Sequence, residues 1–250
     1  MSNTTVIIPS RLKAERLPNK PLKLINKKEM ILHVYETAIK AKIGEVLVAT
    51  PDREIADIIK SHGGKAAITN KSHQTGTDRI FEVFQKELKS EPEFIVNLQG
   101  DMPNLNPLVI HSLIEHMKKK TCDIGTLASE LSNLELNDPN VVKVITSKNI
   151  EKEKEFSSAL DFFRALKNSG TNSMYHHIGI YAFTNKALIR YVSLKRSKLE
   201  IERKLEQLRA LENQMKIEVG YIEDCPLSVD TEKNLEEIKK IMQIKRKKIK

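Results

Sequence analysis

The sequence predicts an α/β fold, with a mostly parallel central sheet and helices on both faces. Two patterns lead there. Short apolar runs alternate with stretches of helical period, and the first run, helix and second run form a strand–helix–strand crossover within residues 6–50. At 250 residues and 40% hydrophobic content, the chain has enough apolar side chains to bury a sizeable core.

Taken in order, Val6–Ile8 reads as a short buried strand. Across 29–41, Ile31, Val34, Ala38 and Ala41 recur at helical spacing, and EVLVAT (45–50) returns to a β-branched apolar run. EIADIIKSHGG (54–64) is a helix stopped by Gly63 and Gly64, which tolerate the left-handed backbone that ends helices. KAAIT (65–69) and FIVNL (94–98) are strands, with FIVNL central. A helix over 106–120 opens near Pro107, and VVKVIT (141–146) is a further strand.

The second half is less regular. IGIYAF (178–183) and KIEVGYI (216–222) read as strands, 199–214 as one charged amphipathic helix, and 231–248 as a final helix running into a basic tail. The polar flanks of 151–173 predict an exposed excursion from the core. With no sharp change of composition along the chain, one domain over 1–250 is expected, with that excursion and a basic tail at 245–250.

The net charge is +9, but the terminal KRKKIK alone supplies five positive charges, so a solvated tail accounts for much of the bias. Aromatic residues are only 5% and Trp is absent, a poor supply of stacking platforms for single-stranded nucleic acid. Nucleic acid is therefore not expected as a partner. Cys122 and Cys225 lie far apart without metal-site spacing, which suggests neither a disulfide framework nor a zinc ribbon and fits a reducing compartment. MSNTT lacks a basic stretch and the apolar run after it is too short for a leader or a membrane span, so a cytoplasmic protein without membrane insertion is expected.

In parallel sheets, ligands bind beyond the carboxyl ends of strands. VIIP is followed by RLKAERLPNKPL, which places Arg11, Arg16 and Lys20 on a segment too rich in proline to be a helix. Neither GxxxxGKS/T nor GxGxxG occurs, so a bound phosphate would be held mostly by side chains. Three cations on a loop stiffened by proline suit a triphosphate, and they equally describe an exposed basic loop. FIVNL is followed by Gln99, Gly100 and Asp101. Asp101 is either a magnesium ligand or a turn aspartate, and Asp230, ahead of the last helix, is either a second ligand or an N-cap.

The ordered set VIIPSRLKAERLPNKPL, HQTGTDR (73–79), VNLQGDMP (96–103), ALDFFRA (159–165), YHHIGIYAF (175–183), LEQLRALE (205–212) and PLSVDT (226–231) closely resembles the 3-deoxy-D-manno-octulosonate cytidylyltransferases, or CMP-Kdo synthetases. The likeness runs from about residue 5 to 240. It implies a Rossmann-like nucleotidyltransferase (GT-A-like) fold, with cytidylyl transfer from CTP to the sugar acid Kdo for lipopolysaccharide biosynthesis, Mg²⁺ as cofactor and a homodimer. By the resemblance, Arg11, Arg16 and Lys20 grip the CTP phosphates, and Thr75, Gly76, Thr77 and Arg79 complete the nucleotide and sugar pocket. Asp101 and Asp230 would hold Mg²⁺, with Lys20, Arg11 and Asp101 central to catalysis. Gln99, Arg164, His177, Tyr181, Glu206 and Gln207 would line the sugar-acid side. The family habit also lets the excursion close over the sugar or pack on a second subunit. Two features depart from the family pattern: LKNSG after Arg164 lacks a proline, and Asp161 stands where an aromatic residue is usual. Two other readings are a cytidylyltransferase for a related acceptor, 8-amino-Kdo or a sialic acid, and a basic nucleic-acid-binding protein.

Overall fold

The computed structural model describes residues 3–88, 91–153, 155–164 and 173–248, with every side chain among them except those of 153 and 245–248. The chain forms two compact units. The first holds residues up to 92, 97–111 and 226 onward, and the second holds 93–96 and 112–225.

In the first unit, β1 (Thr4–Pro9) is followed by a 3-10 turn (Lys20–Leu22), a small hairpin of β2 (Leu24–Ile25) and β3 (Lys28–Glu29), and α1 (Met30–Lys40). Then come β4 (Glu45–Thr50), α2 (Arg53–Ser61), β5 (Lys65–Ile68) and α3 (Gly76–Glu87). β1 pairs in parallel with β4, Thr5 opposite Glu45, and β4 pairs in parallel with β5, Leu47 opposite Lys65. Thr4 to Ile8 are all buried, so both faces of β1 are covered, as a parallel strand requires. The expected helical stripe of α1 is buried at Ile31, Val34 and Ala38. α2 ends ahead of Gly63 at φ 74°, in the left-handed region, while a Cβ on Gly64 would lie 2.7 Å from Ile59 Cγ2.

β6 (Phe94–Leu98) and α4 (Pro107–Lys119) are each divided between the units. The second unit continues with β7 (Ile124–Ser129), β8 (Lys143–Thr146), α5 (Ile150–Glu153), β9 (Ser157–Phe163) and β10 (Met174–Thr184). It closes with α6 (Asn185–Ser193), α7 (Lys198–Arg203), α8 (Gln207–Glu212) and β11 (Ile217–Tyr221), and α9 (Glu232–Lys248) returns to the first unit. Strands of the second unit follow the order β10-β7-β11-β9-β8. Only the β11–β7 pair is parallel among the pairings recorded within this unit; β10–β7, β11–β9, β8–β9 and β10–β8 are antiparallel. The parallel reading thus holds in the first unit, and the second is mixed.

Two expectations change here, and the structure adds one strand that the sequence pattern did not mark. Residues 157–163, expected in an exposed excursion, form β9 between β8 and β11, with Phe162 fully buried; 154 and 165–172 of that stretch lie outside the described residues. The single helix over 199–214 is two helices, broken at Lys204 with φ 54°. Across the break, buried Arg209 binds buried Glu200 through Nε to Oε2 at 2.8 Å and Nη2 to Oε1 at 2.7 Å, so charges expected to face solvent instead join the two segments. β7, unmarked by a strong β pattern because it reads IGTLAS, carries Gly125, where a Cβ would meet Met117 Sδ at 2.8 Å. The side chains of the basic tail, 245–250, lie outside the described residues. Among the described residues, no helix is long and apolar enough to cross a membrane.

Candidate active site

The segment after β1 is held from below by its apolar residues. Leu17 is buried in a cluster with Ile25, Met30, Val229, Leu235 and Ile238, and Pro21 is buried in the 3-10 turn. Asn19, at φ 57°, donates its N–H to Leu12 O at 3.2 Å and closes the loop, while Leu12 N–H donates to Asp52 Oδ2 at 2.8 Å. With Leu17 and Pro21 as anchors, Arg11, Lys13 and Arg16 stay exposed, while Lys20 is half-buried.

Lys20 Nζ donates to Asp101 Oδ2 and to Asp230 Oδ1, both at 2.9 Å, and Arg16 Nη2 donates to Asp230 Oδ2 at 3.0 Å. Val229 N–H donates to Asp101 O at 2.9 Å, which sets the two aspartates side by side although they are far apart in sequence. Burial pulls the Lys20 pKa down, but Asp101 and Asp230 outweigh it, and the ammonium holds its proton more tightly than an ordinary lysine. Asp230 is not the N-cap of α9: Thr231 Oγ1 accepts from Asn234 N at 3.2 Å, which leaves the Asp230 carboxylate for the cations. Two carboxylates converging on one cation position suit Mg²⁺, which takes one or two carboxylates together with phosphate oxygens and water.

Beside this cluster the first unit contains a cavity of about 270 Å³ whose lining includes Arg11, Lys13, Lys20 and Arg79. Thr75, Gly76, Gln99, Gly100 and Asp101 line it too, so Gln99, expected on the sugar-acid side, stands with the phosphate candidates. Arg16 is not among the lining residues; its partner is Asp230. Thr77 is buried, accepting at Oγ1 from Asn97 Nδ2 at 3.4 Å.

The HQTGTDR segment starts α3. Thr75 is its N-cap, with Oγ1 accepting from Asp78 N at 3.1 Å. Gly76 opens the helix where a Cβ would come 3.4 Å from Pro9 Cγ, so the first turn of α3 lies against the end of β1. Arg79 is buried, donating from Nη1 to Thr69 Oγ1 and to Asn70 O at 3.2 Å. Burial and the charge of Arg11 lower its pKa. Glu82 secures the preceding loop, accepting from Asn70 N at 2.8 Å and facing His73 Nε2 at 2.5 Å. Burial raises its pKa, but hydrogen bonds from Lys86, Asn70 and His73 prevail and hold the carboxyl at about 2.

Sequence reasoning missed Lys13 and His73 as lining residues, although both stand inside motifs it quoted. It also expected phosphate to be held mostly by side chains, and the N-terminus of α3 adds a backbone dipole at the cavity wall.

The remaining candidates belong to the second unit. His177 is buried, with Nε2 3.0 Å from Thr126 Oγ1 and its ring 5.5 Å from that of buried Tyr181. Burial, then the charge of His176, lowers the His177 pKa to about 3, so the ring is neutral. Burial and then Glu206 raise the Tyr181 pKa. Glu206 O accepts from Tyr191 Oη at 2.8 Å, and Gln207 is buried at the start of α8. Arg164 Nη1 donates to Pro139 O at 3.1 Å and Asn140 O at 3.0 Å, while fully buried Lys143 holds Arg164 O at 2.7 Å. Asp161, where the family usually has an aromatic residue, accepts from Arg203 Nη1 at 2.7 Å.

Comparison with known proteins gives this arrangement a family. Residues 5–217 match the family model described as Cytidylyltransferase. A 3-deoxy-manno-octulosonate cytidylyltransferase of Rhodopseudomonas palustris is 44% identical over 243 residues, 96% of this chain and 98% of that protein. One of Paramagnetospirillum magneticum is 39% identical, over 95% and 97%. Among solved structures, a CMP:2-keto-3-deoxy-manno-octonic acid synthetase complexed with CTP has a TM-score of 0.87 at 34% identity, covering 97% of this chain and 99% of its own. A 4-diphosphocytidyl-2C-methyl-D-erythritol synthase from Anaerococcus prevotii, at 14% identity and TM-score 0.64, shares the fold. With a nucleotidyltransferase fold, a cavity lined by cations and relatives matched over nearly their whole length, the chain belongs to the cytidylyltransferase family, alongside the 3-deoxy-manno-octulosonate cytidylyltransferases.

Proposed function

We propose that this protein transfers a cytidylyl group from CTP to 3-deoxy-D-manno-octulosonate, giving CMP-Kdo and pyrophosphate for lipopolysaccharide biosynthesis. The observation that carries the reading is the meeting of Lys20 with Asp101 and Asp230 beside a cavity lined by Arg11, Lys13 and Arg79. The acceptor follows from the names of the relatives.

The chemistry is set by charge. CTP carries about four negative charges, which repel an anionic sugar acid unless cations neutralise them. In the reaction the 2-hydroxyl oxygen of the acceptor attacks the α-phosphorus in line, the bond to the bridging oxygen breaks, pyrophosphate leaves and the hydroxyl proton passes to solvent. Arg11, Lys13 and Lys20 bind the triphosphate and offset the charge that gathers on the leaving group, and Arg79 with the first turn of α3 adds positive potential at the same wall. Asp101 and Asp230 would hold Mg²⁺, which when bound would supply positive charge to offset the phosphates and the acceptor hydroxyl. Arg164, His177, Tyr181, Glu206 and Gln207 are proposed to bind the sugar acid, a neutral imidazole and a phenol suiting hydroxyl partners. The mechanism needs no covalent enzyme intermediate.

Pyrophosphate release from CTP, with purified Kdo and Mg²⁺, tests the function. Release that requires Kdo is expected, and its absence overturns the reading. A panel adding 8-amino-Kdo and a sialic acid tests the acceptor, with Kdo used best. We also propose a cytoplasmic homodimer, which sedimentation of the purified chain and fractionation of cells test directly.

A further inference from the structure

We propose that His116, Cys122 and Glu218, in the second unit, form a binding site for one divalent cation of the zinc class. His116 stands in the last turn of α4, Cys122 in the connection to β7, and Glu218 on β11, so an ion held by all three would staple a helix end to a strand distant in sequence. Their ligand atoms all lie within 4.8 Å of one another, and His116 Nε2 is 2.6 Å from Glu218 Oε2. Nitrogen, sulfur and carboxylate oxygen together are a set that zinc accepts, whereas magnesium prefers oxygen alone. Ligand distances of roughly 2.0–2.3 Å mean that the donors need to move by only about an ångström to enclose such an ion.

The site is held in shape by groups that are not ligands. The His116 ring stacks on Phe156 at 3.7 Å between centroids and 6° between planes, which fixes the plane of the imidazole. Phe156 in turn lies over Gly220, where a Cβ would come within 2.4 Å of its ring, so the residue type at 220 is what admits the aromatic plate. On the sulfur side, Met117 Sδ lies 3.3 Å from Cys122 Sγ and adds a second soft atom. Lys216 Nζ now neutralises Glu218 Oε1 at 2.8 Å, and with half of its side chain exposed it can swing into solvent when a cation takes its place. Ligation releases the Cys122 thiol proton to solvent.

Titration of the intact chain with Co²⁺, in excess Mg²⁺ to occupy hard carboxylate sites, tests this. The expected result is one thiolate-to-cobalt charge-transfer band saturating at one ion per chain, lost in Cys122→Ser and kept in Cys225→Ser. Glu218→Gln and His116→Gln should each weaken binding by at least about tenfold, and Zn²⁺ should raise the Tm of the parent chain but not that of Cys122→Ser. Circular dichroism establishes that each variant is folded, and Glu218→Gln carries the test should Cys122→Ser unfold. Absence of the band in the parent chain, its loss in Cys225→Ser, or equal affinity in the parent, Glu218→Gln and His116→Gln chains overturns the proposal.

Discussion

At the scale of single residues, the cluster around Lys20 decides most. One ammonium satisfies two carboxylates at 2.9 Å each, and Thr231 rather than Asp230 caps the helix that follows. Asp101→Asn and Asp230→Asn should each lower turnover by at least about a hundredfold with the fold intact, because an amide is a poor partner for Mg²⁺ and for Lys20. Steady-state rates across a range of Mg²⁺ concentrations check this, and a near-normal rate in either variant removes that residue from the metal site. His177 gives a test by pH. Its folded pKa, about 3, lies below the ordinary value of about 6.5, so the unfolded chain takes up the proton first as pH falls. Its contribution to stability is complete above about pH 6.5 and is lost progressively down to about pH 3, on the order of 5 kcal/mol. Urea unfolding of the parent and His177→Gln chains over that range should show a shallower acid loss in the variant.

At the scale of elements, the α7–α8 break is informative. Glu200 and Arg209 are both almost fully buried, so the pair trades desolvation against two charge-assisted hydrogen bonds. Arg209 also lies 4.7 Å over the Tyr191 ring, and Tyr191 Oη holds Glu206 O, so the pair supports the turn that carries Glu206 and Gln207. Arg209→Met should cost roughly 3 kcal/mol, because the buried Glu200 carboxylate would keep only the half-exposed Arg196 as a cationic partner, and adding Glu200→Leu should recover part of it. Denaturant melts of the single and double variants measure both numbers. Elements with a clean period, such as the Ile31, Val34, Ala38 stripe of α1 and the FIVNL run of β6, were legible in the sequence. β9 was not, because its polar flanks hid Phe162, and the α7–α8 pair was not, because charges on a helix read as a solvated face until the partner is known.

At the scale of the whole molecule, the net charge of +9 is weighted toward a tail that supplies five positive charges in six residues. Deleting 245–250 should leave pyrophosphate release within about twofold of the parent, since exposed charge at a terminus adds little to a packed core. The same deletion should lower retention on a cation exchanger. A large loss of turnover would tie the tail to catalysis. The family model over 5–217 takes in six of the seven short motifs, and PLSVDT at 226–231 lies beyond it.

The sequence by itself determined the α/β class, the crossover that opens the chain and the family, because hydrophobic period and the order of motifs are local properties of the chain. It also put Arg11, Lys20, Asp101 and Thr75 forward as a set. Tertiary structure decided which of them meet: Val229 N–H on Asp101 O brings two distant segments together, and Thr231 takes the capping role that leaves Asp230 for Lys20. It placed Gln99 with the phosphate candidates and turned Arg16 to Asp230. Contacts between residues distant in sequence depend on packing and on competition for hydrogen-bond partners, and neither is written in the spacing of residues along the chain.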